Sequence, residues 1–380
     1  MYQPIMKTVK NIMTTAKKKK IILTGGGTGG HILPNLALIP RLKTNFDIYY
    51  IGAPNSMEEE LVKKTGGAAF FAVPAVKFQR SLSLRNLLIP FKLLSGIRKA
   101  KKLLKEINPD IVFSKGGYVA LPVVMASRKL KIPYIIHESD MSMGLANRLA
   151  AKKAEYVCGG FSDSVKNLPN GIHTGAPIRR VLYEGNSQKA KTDLGITSGK
   201  PVLLVTGGSS GAAVINKTVL ECLEKLTAKY EVIHLTGKGK SPLNNSSLPQ
   251  SYHPIEFTPA IQDLFALASL CVTRGGAGAL FELTALNIPS LIIPLPKSRS
   301  SRGDQVQNAN YLKSRGYALI LEQQNLLPET LLSSIDALSA QAPALKKAMA
   351  AATRIDGSAR IVELINKSAK SSLSQTDGIR

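Results

Sequence analysis

The sequence has no tryptophan, only three cysteines in 380 residues, and no apolar run of the roughly 18 residues that a membrane-spanning helix needs. The cysteines, Cys158, Cys222 and Cys271, lie far apart, are odd in number and form no C-x-x-C pair. Such spacing argues against a disulfide framework and against a zinc site. It predicts three reduced thiols buried as small hydrophobic side chains.

Acidic side chains are scarce, with 25 Asp and Glu against 50 Lys and Arg, so the formal net charge is +25. This charge predicts a polyanionic partner, which could be nucleic acid, an anionic lipid surface or a phosphorylated substrate. Aromatic residues make up only 6% of the chain, and no zinc-finger or RNA-binding signature occurs. We therefore expect no specific nucleic-acid partner, and any salt-sensitive affinity for nucleic acid to be incidental.

The first twenty residues contain six lysines and no acid. No apolar core or cleavage site follows them, so they do not resemble a signal peptide. We predict a disordered basic arm over residues 1–20.

Five short apolar runs are each followed by a glycine-rich or polar turn and then by a helical pattern. The runs are 20–24, 110–114, 134–137, 201–206 and 270–273. We expect the helix after the fourth run to continue through about Leu226. Strands that alternate with helices predict an α/β fold with parallel sheets covered on both faces. The runs ending at Thr24 and Thr206 each open a new series, which predicts two Rossmann-like domains facing across a cleft, 21–178 and 179–352. Ligands bind such sheets at the carboxyl ends of the strands.

The turn GGGTGGH contains the pattern G-x-G-x-x-G at Gly25, Gly27 and Gly30. Glycines let backbone amides approach a phosphate, and a helix N-terminus adds partial positive charge. A dinucleotide site would also need an acid at the end of the second strand, 46–52, where the sequence reads IGAP. The pattern therefore disfavours NAD(P). His31 follows the turn directly and is a candidate for acid–base catalysis or anion contact.

The second half repeats this phosphate-binding pattern. The turn GGSSGA offers the hydroxyls of Ser209 and Ser210, and RGGAGALFEL places Glu282 on a helix behind a glycine-rich loop. A carboxylate there can accept both hydroxyls of a ribose, and Asp304 and Gln305 suit sugar hydroxyls. No D-x-D motif occurs, so helix N-termini and a basic side chain are expected to stabilise a diphosphate leaving group.

Read together, the motifs resemble those of glycosyltransferase family 28, the MurG-type N-acetylglucosaminyltransferases. In chain order they are GGGTGGH, SKGGYV, HESD…GLAN, GAPIR, GGSSGA, TRGGAGALFE and SRGDQVQNA, spanning about residues 21–365. The resemblance implies a GT-B fold in which residues 353–370 pack back on the first domain. It also implies inverting transfer of N-acetylglucosamine from UDP-GlcNAc to the 4-hydroxyl of lipid I, giving lipid II, with no metal and no cofactor.

The resemblance also implies roles for individual residues. Donor-binding residues are expected at Arg179, Ser209, Ile261, Ala277, Gly278, Ala279, Glu282, Asp304 and Gln305. Of these, Glu282 is expected to contact the ribose, and Arg179 and Ser209 the diphosphate. Asp304 and Gln305 are expected to contact the N-acetylglucosamine. Acceptor-binding residues are expected at Thr28, Gly29, Gly30, Gly116, Gly117, Tyr118, His137 and Asn147. His31 is the expected catalytic base, with Glu138 and Asp140 as rivals.

Some residues depart from the family pattern. Ser210 stands where many members have Gln, and Asp140 and Asp304 stand where others have amides. Individual hydrogen-bond assignments therefore stay open, and another GT-B transferase acting on a different lipid or glycan is the alternative. The motifs of the first half favour lipid I, because the donor half would be shared.

The segment 77–105 carries nine Lys or Arg and no acid, interleaved with Leu87, Leu88, Ile89, Phe91, Leu93, Leu94 and Ile97. An apolar patch rimmed by basic residues predicts contact with an anionic membrane surface. The alternative is a solvated basic helix whose leucines cover the first sheet. Together with the resemblance, this predicts a peripheral protein at the cytoplasmic face of the cell membrane, with other cell-wall enzymes as further partners.

Overall fold

The computed structural model describes residues 18–76, 89–208, 211–241, 248–298, 301–352 and 355–374. The predicted basic arm lies outside the described residues up to position 17, and Ser209, Ser210 and the first part of the basic segment, 77–88, lie outside them as well. Within the described ranges, no helix is both long and apolar enough to cross a bilayer.

The first domain is built on a seven-stranded sheet with spatial order β3-β2-β1-β4-β5-β6-β7, in which all neighbouring strands are parallel. Its strands are β1 (Lys19–Thr24), β2 (Phe46–Gly52), β3 (Ala69–Ala72), β4 (Ile111–Ser114), β5 (Tyr134–Glu138), β6 (Tyr156–Gly159) and β7 (Gly171–His173). Its helices are α1 (Gly29–Leu42), α2 (Met57–Thr65), α3 (Ile89–Ile107), α4 (Ala120–Leu130) and α5 (Leu145–Ala151). This is the Rossmann strand order extended by one strand.

The second domain repeats that order in a six-stranded parallel sheet, β10-β9-β8-β11-β12-β13. Its strands are β8 (Val202–Thr206), β9 (Glu231–Leu235), β10 (Tyr252–Ile255), β11 (Leu270–Thr273), β12 (Ser290–Ile292) and β13 (Ala318–Ile320). The helices that follow the domain junction are α6 (Ser187–Leu194), α7 (Ala213–Glu221), α8 (Leu223–Lys229), α9 (Ile261–Leu267), α10 (Ala277–Ala285), α11 (Asp304–Ser314), α12 (Pro328–Ala351) and α13 (Gly357–Ser374).

The strand sequences explain why helices cover both faces of each sheet. In β1, Ile21 and Leu23 belong to one apolar core while Ile22 belongs to the core on the opposite face. In β8, Leu203 and Leu204 divide in the same way. A strand that is apolar on both sides must be buried on both sides. The predicted fold class and both predicted first strands are confirmed.

The helix expected to run through about Leu226 is instead two helices. α7 ends at Glu221 and α8 begins at Leu223, because Cys222 between them has φ −119° and ψ 20° and so leaves the helical region. The apolar pattern continues across this break, since Cys222 and Leu223 both lie in the same core, and for that reason the pattern alone did not reveal it.

The last helix, α13, packs on the first domain. Ile361, Leu364, Ile365 and Ala369 lie in the core that contains Ile21 of β1, and α13 contacts α1. The Nζ of Lys19 donates to the carbonyl oxygen of Ala369 at 2.7 Å. The chain therefore crosses between the domains twice, once near Gly175 and once before α13.

An aromatic cluster joins the two domains. The ring of Phe161, which follows β6, lies 4.6 Å from the ring of Phe281 on α10 and 4.8 Å from that of Tyr311 on α11. Phe161 is 1% exposed and belongs to an apolar core otherwise formed by second-domain residues and the partly buried Met141. α1 and α10 also contact each other, so the carboxyl ends of β1 and β11 lie on the same side of the molecule.

Candidate active site

Two glycine-rich turns of the first domain lie against each other at the carboxyl ends of β1 and β4. The backbone angle φ is +85° at Gly27 and +82° at Gly117, a region that favours glycine. A Cβ built on Gly27 would lie 2.5 Å from the ring of Tyr118, and one built on Gly117 would lie 2.6 Å from the carbonyl oxygen of Gly26. These glycines therefore permit both the turn and the close approach that brings Tyr118 beside it.

The first turn of α1 is an open helix N-terminus. Thr28 is its N-cap residue, and its side chain caps no N–H group of the described structure. No acidic residue lies in the first turn, and Thr28 and Gly30 are exposed while Gly29 is buried. Uncapped N–H groups and the helix dipole suit an anion such as a diphosphate.

His31 has one ring nitrogen fixed and one available. Its Nδ1 lies 3.1 Å from the carbonyl oxygen of Lys115, and because a carbonyl only accepts, Nδ1 carries the hydrogen. The neutral ring then presents Nε2 as a proton acceptor. Burial, and after it the Lys115 ammonium, lower the pKa of His31 below its ordinary value. The ring is therefore neutral near pH 7, as a general base must be.

Lys115 itself is a buried cation behind these turns. It is 1% exposed, and its Nζ donates to the hydroxyl of Ser139. Burial lowers the pKa of Lys115 to about 8, although the carboxylates of Glu138 and Asp140 act in the opposite direction. Its ammonium places positive charge beneath the turns. The sequence analysis did not single out Lys115, and its position between an apolar strand and a glycine pair was the available signal.

Glu138 organises the turn that follows β5. Its Oε1 accepts from the backbone N–H of Asp140 at 3.1 Å. Its Oε2 accepts from the N–H of Gly144 at 2.9 Å and from Nδ2 of Asn147 at 3.0 Å. Glu138 is 3% exposed, so its carboxylate is committed to holding this turn together.

His137 and Asn147 both lie below the surface. His137 is 0% exposed, and its Nε2 lies 2.9 Å from the carbonyl oxygen of Gly175. Burial and the Lys115 ammonium hold the pKa of His137 well below its ordinary value. Asn147 packs under Gly116, where a Cβ would lie 2.8 Å from the amide. The structure thus buries His137 beside the domain junction at Gly175 and places Asn147 between Gly116 and Glu138.

Glu58 was missed by the sequence analysis, which found no carboxylate near the end of β2. Its carboxylate accepts from the N–H of Gly27 at 3.3 Å and from that of Ala53 at 3.1 Å. Glu58 lies in the first turn of α2 and is 1% exposed, so it braces the glycine-rich turn and is not available to a ribose. The N-cap Ser56 followed by three glutamates was the signal for this helix start.

On the second domain, Arg179 and Glu282 form an ion pair. Nε and Nη2 of Arg179 lie 3.2 and 3.0 Å from Oε1 of Glu282, and the side chains are 22% and 17% exposed. Burial raises the pKa of Glu282, and the guanidinium opposes that effect. Because both contacts go to Oε1, Oε2 receives no hydrogen bond from any described residue. The two residues expected at diphosphate and ribose are therefore neighbours.

The N-terminus of α10 is also open. Gly276 is its N-cap, and residues 277–279 form the first turn, whose N–H groups no described side chain caps. The preceding Gly275 packs so closely on α11 that a Cβ would lie 2.4 Å from the carbonyl oxygen of Gln305. The Gln305 side chain accepts from the N–H of Leu295 at 3.0 Å, which fixes the start of α11 beside this turn.

Two further expected donor residues, Asp304 and Ile261, lie at helix starts of the second domain. Asp304 is the first residue of α11, 3.9 Å from the guanidinium of Arg302. Ile261 begins α9 and packs on the core beneath it. Ser209 lies outside the described residues. Across the described ranges, no group of three His, Cys, Asp or Glu side chains is arranged to hold a metal ion.

Two Rossmann-like domains, each with an uncapped helix N-terminus at the carboxyl end of its sheet, define the GT-B fold. The chain belongs to glycosyltransferase family 28: the pattern of the Glycosyltransferase family 28 N-terminal domain matches residues 21–158, and that of the Glycosyltransferase family 28 C-terminal domain matches residues 202–365. The fold predicted from the resemblance and the glycosyltransferase class are thereby confirmed.

Similar proteins agree with this placement. The chain is 42% identical over 356 residues to a protein of Lachnospira eligens, covering 93% of this chain and 100% of that one. It is 43% identical to a protein of Lachnoclostridium phytofermentans, covering 92% and 99%. Both are named UDP-N-acetylglucosamine--N-acetylmuramyl-(pentapeptide) pyrophosphoryl-undecaprenol N-acetylglucosamine transferase. The crystal structure of Acinetobacter baumannii MurG matches with a TM-score of 0.70 at 25% identity, covering 92% of this chain and 99% of that one.

Proposed function

We propose that this protein transfers N-acetylglucosamine from UDP-GlcNAc to the 4-hydroxyl of lipid I, forming lipid II in peptidoglycan synthesis. The observation that carries the proposal is the contact of α1 with α10 across the domain boundary. It brings the neutral ring of His31 to the same side of the molecule as the open N-terminus of α10. The names of the relatives at 42% and 43% identity support this donor and this acceptor.

The donor would bind on the second domain. Oε2 of Glu282, which no described residue bonds, would accept hydrogen bonds from the ribose. Arg179, paired to the other oxygen of Glu282, would direct its remaining N–H groups at the diphosphate. The open amides of residues 277–279 would add donors, and Asp304 and Gln305 at the start of α11 would contact the sugar. Charged and backbone donors in such a site stabilise the departing UDP.

The acceptor would bind at the turns of the first domain. The open N-terminus of α1 at Thr28 and Gly30 suits the pyrophosphate of a lipid-linked sugar. The half-buried Tyr118 and the turn residues Gly116 and Gly117 would form the adjoining wall. The buried cation of Lys115 favours an anionic ligand above it.

His31 is the base that the geometry favours. Its Nε2 is free to take the proton of the acceptor hydroxyl as that oxygen attacks the anomeric carbon and UDP leaves with inversion. Glu138 is a weaker candidate, because its two oxygens accept three hydrogen bonds from the protein. Asp140 remains a rival, since burial raises its pKa to about 6.

The membrane surface would be met by the first part of α3. Phe91 is 72% exposed and Leu94 is 40% exposed, with exposed Lys92, Arg98 and Lys99 around them. Ile97 and other residues on the opposite side of α3 are buried on the first sheet. Apolar side chains rimmed by cations suit an anionic leaflet. We therefore place the protein peripherally at the cytoplasmic face of the cell membrane, where a polyprenyl-linked acceptor would be found.

A donor screen tests the proposal. The purified protein would be given a lipid I analogue and, in turn, UDP-GlcNAc, UDP-GalNAc and UDP-glucose, with UDP release as the signal. We expect release that requires the acceptor and is fastest with UDP-GlcNAc. Release with another glycan or lipid acceptor but none with the lipid I analogue would favour a different GT-B transferase.

A further inference from the structure

We propose that Asn308 is a positioning residue that fixes the donor turn following β11 relative to the acceptor turn following β5. Asn308 lies on α11 of the second domain and is 0% exposed. Its Nδ2 donates to the carbonyl oxygen of Gly275 at 3.1 Å, within its own domain. The same Nδ2 donates to Oδ1 of Asp140 at 3.0 Å, and its Oδ1 accepts from the N–H of Met141 at 3.0 Å. One side chain thus binds turns of both domains.

The chemistry of the amide suits this position. A primary amide offers two N–H donors and one acceptor oxygen, and Asn308 uses both kinds of group. A buried amide that loses these partners leaves polar groups unpaired, which is costly, so the bonds hold only when the turns stand at one separation. An aliphatic side chain of similar size could fill the space without specifying that separation.

The bonds of Asn308 lead directly into both halves of the site. The N–H of Asp140 is held by Glu138, the centre of the acceptor turn. Gly275 immediately precedes the N-cap of α10, the helix that carries Glu282. A displacement at Asn308 would therefore move the sugar-binding side against the acceptor side.

The aromatic contact of Phe161 with Phe281 and Tyr311 also joins the two domains, so the association of the domains does not depend on Asn308 alone. The three rings contact each other through apolar faces and edges, and the hydroxyl of Tyr311 lies 3.5 Å from Oγ of Ser162, at the outer limit of a hydrogen bond. Removing the amide of Asn308 leaves the three rings in place. We infer that the rings hold the domains together while Asn308 fixes how they align.

The test compares Asn308→Ala with Asn310→Ala, an exposed asparagine two residues further along α11. We expect Asn308→Ala to lower kcat for transfer about ten- to hundred-fold, as a misplaced reacting pair does. The dissociation constant for UDP-GlcNAc, measured calorimetrically without acceptor, should stay within about two-fold. Asn310→Ala should change neither quantity. Unchanged kcat in a folded Asn308→Ala protein, or an equal loss in donor affinity, would overturn the assignment.

A second variant guards against a simple loss of folding. Asn308→Asp should lower kcat, because its carboxylate would face that of Asp140. The same change should lower kcat by a smaller factor in an Asp140→Asn background, where the amide lies on the other domain. Equal costs in the two backgrounds would refute the interdomain bond.

The kinetic test rests on the proposed function, so a second test measures the distance between the two domains, which does not depend on activity. Spin labels at Lys166→Cys and Lys217→Cys, exposed sites on the two domains, would report the interdomain distance. Asn308→Ala should broaden that distribution even if the wild-type protein transfers nothing to the lipid I analogue, in which case the proposed function fails and this inference stands. An unchanged distribution would refute the inference.

Discussion

Replacing Glu282 with glutamine tests the donor site most sharply. The change keeps the size of the side chain and one acceptor oxygen, but removes the charge and turns the second oxygen into a donor. A hydrogen bond to a charged group contributes about 1.5–3 kcal/mol, so losing the bonds from ribose should raise the KM for UDP-GlcNAc about ten- to hundred-fold. Because the side chains of Glu282 and Arg179 are 17% and 22% exposed, water can reach the altered pair, and the fold should survive.

The assay is steady-state UDP release with UDP-GlcNAc varied at saturating acceptor. The matched control is Glu184→Gln, which alters another arginine–glutamate pair on the surface, where Arg180 lies 3.2 Å from Glu184 and the side chains are 92% and 58% exposed. It should leave the KM unchanged. A normal donor KM in Glu282→Gln, or a loss confined to kcat, would contradict the ribose assignment.

Three further predictions follow from the same site and surface. His31→Ala should lower kcat about 10²–10⁴-fold, and near-normal turnover of this variant would shift the role of base to Asp140. Wild-type kcat should fall as the pH drops through the lowered pKa of His31, because protonation takes the lone pair of Nε2; a fall in kcat that begins above the ordinary histidine pKa would contradict this reading. Activity should be the same with and without EDTA, and a strict Mg²⁺ requirement would contradict the proposed stabilisation of UDP by amides and Arg179. Changing Lys92, Arg98, Lys99 and Lys102 to Gln should weaken binding to anionic vesicles by about 1 kcal/mol per charge at low salt and should spare activity on a water-soluble acceptor. The control changes four lysines exposed on the second domain, Lys217, Lys313, Lys346 and Lys347, to Gln and should leave vesicle binding unchanged. Equal weakening by the two sets would move the membrane site elsewhere.

The fold could be predicted from the sequence because its signals are local. The apolar runs at β1 and β8, each ending in a glycine-rich turn, specify a strand, a turn and a helix within about twenty residues. Parallel pairing and burial on both faces follow from that repetition. The Rossmann order of both sheets then follows from the rules of such folds.

The contacts within the site could not be predicted in the same way, because they join residues distant in sequence. Glu282 and Arg179 are 103 positions apart, and each was assigned to a different part of the donor before the structure showed them paired. Asn308 and Asp140 are 168 positions apart, and nothing in the helical pattern of α11 marks that asparagine. Lys115 was not singled out from the sequence, because its burial is a property of the packed fold.

The most direct test of the central claim is to isolate the product formed from UDP-GlcNAc and a lipid I analogue. Mass spectrometry and NMR together would give the sugar added, the hydroxyl that carries it and the configuration of the new bond. We predict a single added N-acetylglucosamine on the 4-hydroxyl of the muramyl sugar, in the β configuration that inversion of the donor requires. An α-linked product, addition at another hydroxyl, or no addition by a folded protein that binds UDP-GlcNAc would contradict the account.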